Sequence, residues 1–345
     1  MSGTTFTTHT SYTSHALHAT LVTPFDPGTG AVLLDELTAM ARRLADASAR
    51  SSVPLVPIIN AEAGEIYTLS REERTANLEA VVGAGLGPVV GGVVGRTTAE
   101  AVEVAKEAVA AGAQALFVLP PFGSGDITTS WDPVRYPRVV SEYTGRIADA
   151  VGDVPLVIHP SGPRSPAYGI GWPLETVRAV IGRAPTVAGW KMTYSYEGYR
   201  RVARYLRAHA PQVAVLPSSA VRYHENLANR QLDGACSGSF CYALDPMVEH
   251  IELWRKGEVS AATDLWLDGL AELHEYVYSD YARLHIRYKV AAWLAGEISS
   301  PLMRDPMPEP ERAEADRLCA LLTGAGLAAR DAAEVDAFFA AHVHA

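Results

Sequence analysis

Cysteine is scarce: Cys236, Cys241 and Cys319 are the only three in 345 residues. An odd, widely spaced set without a Cys-x-x-Cys pair excludes a disulfide framework and argues against a zinc knuckle. It points to a reducing, cytoplasmic setting. No His-Glu-x-x-His is present, so no metal site is expected. Basic runs are absent, and with a net charge of −10 the chain is a poor candidate for nucleic acid or an anionic membrane. No apolar run reaches membrane-spanning length. Residues 1–17 are polar and lack the apolar core of a signal peptide, so they read as a flexible arm. A Walker loop, a full Gly-x-Gly-x-x-Gly at a strand-to-helix turn and a Gly-x-Ser-x-Gly elbow are all missing. The glycine-dense stretches Gly83–Gly87 and Gly91–Gly95 therefore read as turns and tight packing.

What the chain does have is alternation. Short runs rich in Val, Ile and Leu recur at His18–Phe25, Val53–Ile59, Pro88–Gly95, Ala115–Pro121, Val154–Pro160, Thr186–Thr193, Val213–Ser218 and Gly234–Phe240. Between them lie segments of helical character at Leu33–Ala47, Arg71–Val82, Thr98–Ala111, Pro133–Ala150, Leu174–Gly182, Tyr196–Ala208 and Val221–Gln231. Strands that are apolar throughout belong to parallel sheets covered by helices on both faces. Eight strand–helix units in register predict a closed (β/α)₈ TIM barrel over 18–243, rather than an open doubly wound sheet. From 244 to 345 the pattern is wholly helical, with Met247–Lys256, Ser260–Tyr278, Ala282–Ala295, Pro310–Leu322 and Ala332–His342 as candidates. Ser70-Arg-Glu-Glu73 reads as a capping box that opens the second helix.

Chemistry in such a barrel sits at the C-terminal ends of the strands. Lys191 ends the run Thr-Val-Ala-Gly-Trp-Lys. Lysine is rare inside a strand because its ammonium is costly to bury. Burial is expected to lower its pKa and free an amine that attacks carbonyls; a salt-bridged lysine at the barrel rim is the plainer alternative. His159 ends the fifth strand and suits proton transfer near neutrality, or a structural hydrogen bond. Arg164, in the loop that follows, suits bidentate carboxylate binding or simple solvation. Glu62 and Glu65, after the second strand, suit acid/base work or the holding of a loop.

These residues, in this order, resemble the dihydrodipicolinate synthase / N-acetylneuraminate lyase family of class I aldolases. The resemblance runs from about Ala19 to Leu327 and rests on Thr23-Pro-Phe25, Ala63–Arg74, Ala111–Phe122, Pro155–His159, Gly189-Trp-Lys191, Gly234–Gly238, Tyr288–Leu294 and Pro301–Pro310. It implies a barrel with C-terminal helices, a homo-oligomer (tetramer or dimer), no cofactor, and Lys191 as the lysine that forms an iminium with a keto or 2-oxo acid substrate. Glu62 and His159 are expected to share the catalysis. Arg164, Ala63, Gly64, Phe122, Ser237, Gly238 and Ser239 are the expected substrate contacts. Three departures stand out. His159 replaces a tyrosine proton shuttle. The Gly-[Thr/Ser]-Thr-Gly-Glu carboxylate loop becomes Ala61-Glu62-Ala63-Gly64-Glu65, and a second tyrosine becomes Phe122-Gly123. The expectation is therefore a carbon–carbon lyase or synthase with a non-standard substrate. A dehydratase or hydratase-aldolase of the same family, or a barrel that binds a metabolite without turning it over, are the alternatives.

Overall fold

The computed structural model describes residues 12–121 and 132–343. Within them, each of the eight apolar runs contains a strand. These are β1 (Leu17–Thr20), β2 (Leu55–Ile59), β3 (Val90–Val93), β4 (Ala115–Val118) and β5 (Leu156–Ile158). After a hairpin of β6 (Ser161–Ser165) and β7 (Gly169–Gly171) come β8 (Val187–Met192), β9 (Ala214–Pro217) and β10 (Ala235–Ser237). The hairpin apart, the strands run parallel in the order β10-β1-β2-β3-β4-β5-β8-β9. Helices α1 (Leu34–Arg50), α2 (Arg71–Gly83), α3 (Thr98–Ala110), α4 (Pro137–Val151), α5 (Leu174–Arg183), α6 (Tyr196–His209) and α7 (Tyr223–Ala228) cover the outside. The fold is a (β/α)₈ barrel with C-terminal helices.

The ring closes through a side chain. Between β9 and β10, the Asp233 N–H donates to Val215 O (3.1 Å), while its carboxylate accepts from the Val215 N–H (2.8 Å). Arg207 of α6 holds that carboxylate in a fork of 2.6 and 2.7 Å. Glycine is required at one crossing: a Cβ on Gly92 would stand 1.8 Å from Asn60 O, so β3 can pass the end of β2 only there. The capping box forms as expected, with Glu73 N–H donating to Ser70 Oγ (3.1 Å) and Ser70 N–H to Glu73 Oε2 (2.8 Å).

The C-terminal part consists of α8 (Leu244–Lys256), α9 (Val259–Leu265), α10 (Ala271–Tyr278), α11 (Leu284–Leu294), α12 (Arg312–Gly324) and α13 (Ala332–His342). The single helix expected over Ser260–Tyr278 is broken. Gly269 adopts φ +90, and a Cβ there would lie 2.7 Å from Gly324 O, so the end of α12 packs into the break. The helix expected from Pro133 starts instead at Pro137, after a turn, with proline at its first position. None of the described helices is long and apolar enough to cross a membrane.

A buried ion pair ties these helices to the barrel. Glu65 accepts from Lys289 Nζ of α11 (2.7 Å) and from the Arg304 N–H (2.8 Å). Lys289 and Arg304 both lie over the Phe25 ring, 4.1 and 4.3 Å from its centre. The Lys289 side chain has no exposed surface and that of Glu65 1%. Removing one partner of such a pair strands a charge and costs about 3–5 kcal/mol. Glu65→Gln should therefore lower the unfolding free energy in urea by that order, with a matching drop in the midpoint, and adding Lys289→Met should restore most of the loss. A midpoint unchanged in Glu65→Gln would show that the helices dock without this pair.

Candidate active site

Alternation along β8 settles the direction of Lys191. Trp190 turns outward to Trp172 (ring centres 6.0 Å apart) and donates its indole N–H to Tyr194 (3.0 Å). Lys191 turns inward to the C-terminal mouth, and its Nζ stands 5.2 Å from the centre of the Phe117 ring. His159 follows β5 directly; its N–H donates to Val118 O (2.9 Å), and its ring meets Phe117 edge-on at 5.7 Å.

Glu62 arrives by a more constrained route. Asn60 leaves β2 in the left-handed region, φ 59, held by its amide on Arg74 O (2.8 Å) and by the Asn77 amide (3.0 Å). The turn then tightens through Gly64 N–H to Ala61 O (3.0 Å) and Glu65 N–H to Glu62 O (3.1 Å). That geometry points Glu62 into the barrel. Its Oε1 accepts a hydrogen bond from Lys191 Nζ and lies 3.2 Å from His159 Nδ1. Among the described residues, His159 Nδ1 and Glu62 Oε2 are both buried without a hydrogen-bond partner.

Charge follows from this packing. Burial favours neutral forms, but the Glu62 carboxylate outweighs it and raises the Lys191 pKa. Burial likewise opposes ionisation of Glu62, yet the Lys191 ammonium, with the nearby His159, holds it well below the usual carboxylate range. His159 is lowered by burial and by the Lys191 charge, against the pull of Glu62. The resting site is thus ammonium, carboxylate and neutral imidazole. This corrects the expectation of a depressed lysine pKa. The buried lysine with a lowered pKa, to about 8 through burial, is Lys289, which lines none of the cavities described here.

The three residues share a cavity of about 320 Å³ with Ser237 and Gly238. Ser239 stands behind it, hydrogen-bonded to Ser237 at 2.7 Å. Ala63 and Gly64, expected as substrate contacts, do not line it. They are buried in the turn, the Gly64 N–H is spent on Ala61, and a Cβ on Gly64 would press on Leu21 O at 2.8 Å. Arg164, exposed on β6, lines an adjoining outer cavity of about 400 Å³ that shares Ile170, Thr193, Ser218 and Tyr281 with the inner one. Phe122 lies outside the described residues. The residues that sequence reasoning missed include Thr20, Tyr67 and Cys236 and, from the C-terminal part, Tyr278, Tyr281, His285 and Tyr288. Tyr278 ends α10, Tyr281 lies in the connection and His285 and Tyr288 stand on α11, so no single helical period tied them together in the sequence. His285 is pushed down to about 4, mainly by burial. Among the described residues no group of three or more His, Cys, Asp or Glu is arranged to hold a metal.

Fold and site together define a parallel (β/α)₈ barrel with a buried, carboxylate-paired lysine at the mouth of its sixth strand. The model of the dihydrodipicolinate synthetase family matches residues 14–325, and the chain belongs to that family. It is 31% identical over 173 residues to a 4-hydroxy-tetrahydrodipicolinate synthase of Sorangium cellulosum (strain So ce56), a match that covers 50% of this chain and only about half (52%) of the relative. Dihydrodipicolinate synthase from Aquifex aeolicus superposes with a TM-score of 0.73 at 20% identity, over 92% of this chain and 99% of that one. YagE, a prophage protein of the dihydrodipicolinic acid synthase family from E. coli K12 solved in complex with pyruvate, gives 0.74 at 20%, over 90% and 98%. At such identity these likenesses speak to the fold.

Glu62→Gln removes the carboxylate while keeping the shape. With burial unopposed, the Lys191 pKa should fall below its ordinary value of about 10.4. Amine labelling of Lys191, followed by mass spectrometry across pH, should then set in at lower pH than in the parent protein. A profile that does not move would show that Glu62 does not set this charge.

Proposed function

We propose that this protein is a Schiff-base lyase or synthase that makes or breaks a carbon–carbon bond next to a carbonyl, with Lys191 as the nucleophile. The observation that carries the reading is Lys191 Nζ, 8% exposed at the side chain, at the cavity floor against Glu62 and beside His159. The Lys191 proton passes to Glu62 Oε1, and the freed amine adds to the substrate carbonyl to give a carbinolamine. Protonation of its hydroxyl, with Glu62 and His159 as the donors at hand, expels water and leaves the iminium. That cation accepts the electron pair released when the adjacent C–H or C–C bond breaks; His159 takes and returns the proton. The lysine iminium is itself the electron sink. The same enamine also eliminates water or ammonia, so product analysis separates a lyase from a dehydratase.

Glu62 governs the choice of donor. A substrate carboxylate seated in the inner cavity competes with it for Lys191. Two like unit charges about 4 Å apart repel by roughly 4 kcal/mol at an effective dielectric of about 20, against about 0.5–1.5 kcal/mol for one lost neutral hydrogen bond. Pyruvate is therefore a poor donor, and larger oxo acids place their carboxylate outward, towards Arg164.

Incubation with a panel of carbonyl compounds and borohydride should leave a reduced adduct on Lys191, read by intact mass and peptide mapping. The adduct should vanish in Lys191→Ala; one that persists there, or maps to Lys289, defeats the assignment. His159→Phe should slow turnover of the best substrate by about 10²–10⁴-fold with folding retained, the usual worth of general acid–base catalysis. Full turnover in that variant would make His159 structural.

A further inference from the structure

The wall opposite the strands is built by α10, α11 and their connection, and its hydrogen bonds have a direction. Tyr278 donates its only hydroxyl proton to Ser218 O (3.0 Å). Its oxygen therefore accepts, from Ser237 Oγ at 2.7 Å and from the Tyr288 hydroxyl at 2.6 Å. Ser237, with its proton committed to Tyr278, accepts from the Ser239 hydroxyl (2.7 Å) and the Ser239 N–H (3.1 Å). The Ser218 and Thr193 hydroxyls donate to Met192 O (3.0 Å) and Pro160 O (3.2 Å). Five lining hydroxyls have thus spent their protons on the protein. Those five offer only lone pairs, chiefly those of the Tyr288 oxygen, while the Tyr281 hydroxyl and the neutral His285 imidazole, which also line the cavity, each keep one proton to donate. Across from it, Glu62 Oε2 is a buried acceptor with no donor. Lys191, the only arginine or lysine among the described lining residues, already faces Glu62. The Thr20 and Ser161 hydroxyls have no hydrogen bond among the described residues and can adapt either way.

We propose that the inner cavity selects a neutral carbonyl compound bearing a hydroxyl on the carbon next to the reacting one, with Glu62 Oε2 and the Tyr288 oxygen accepting hydroxyl protons. The proposal rests on the Schiff-base reading and narrows its substrate class. A hydroxyl supplies the donor that Glu62 Oε2 lacks and that the Tyr288 lone pairs can take, whereas a carboxylate brings those two oxygens only further acceptors. One such matched group discriminates on the order of tenfold or more.

Dihydroxyacetone and acetone differ only in two hydroxyls, and pyruvate carries a carboxylate in their place. The measurement is the concentration of each that gives half-maximal borohydride trapping on Lys191. Dihydroxyacetone should reach it at least about tenfold below acetone and pyruvate. The ketones' intrinsic reactivities are the same whichever protein meets them. Tyr288→Phe and Glu62→Gln, each checked for folding by circular dichroism, should therefore shrink the gap by weakening dihydroxyacetone more than acetone. Equal trapping of the three, a preference for pyruvate, or a gap that neither variant alters would overturn the inference and leave the Schiff base standing. No Lys191 adduct with these or with a wider set of aldehydes and oxo acids would overturn both.

Discussion

A buried ammonium has to be matched by a buried carboxylate, and in this barrel one short turn after β2 supplies both matches. Glu62 meets Lys191 at the floor of the cavity, and Glu65 meets Lys289 at the joint with the C-terminal helices. The turn is set by backbone before it is set by charge. Asn60 and Glu65 both have positive φ, of 59 and 58, so the chain reverses tightly enough to present its two acids in different directions. The site and the joint are therefore mechanically one object. A change that relaxes the turn disturbs the partner of Lys191 and the seat of α11 together.

The C-terminal helices do more than cover the barrel. Tyr278, His285 and Tyr288 close the cavity over Lys191, so part of the site's polar lining comes from residues beyond the eighth strand. The tyrosine hydroxyls of α10 and α11 belong to a hydrogen-bond chain that ends on Ser218 O.

The eight strands were legible because strands buried on both faces are apolar throughout, and a parallel barrel makes all of them so. Lys191 and His159 were legible for the converse reason, as polar residues that end apolar runs. The direction of Glu62 was not, because it depends on the left-handed step at Asn60 and the contact of that residue with Asn77, seventeen positions on. The sign of the Lys191 shift followed the same uncertainty: burial alone lowers it, and only the inward carboxylate reverses that. Ala63 and Gly64 passed for substrate contacts because a motif does not record whether its N–H groups are already spent. Gly269 gave no warning of a helix break, since the cause lies at Gly324.

The seam between β9 and β10 has a mechanical meaning of its own. Elsewhere around the ring, neighbouring strands share a ladder; here Asp233 and the Arg207 fork stand in for one. Closure of the barrel next to the strand that carries Ser237 thus depends on one largely buried carboxylate under the Arg207 fork, where every other seam depends on repeated backbone pairs.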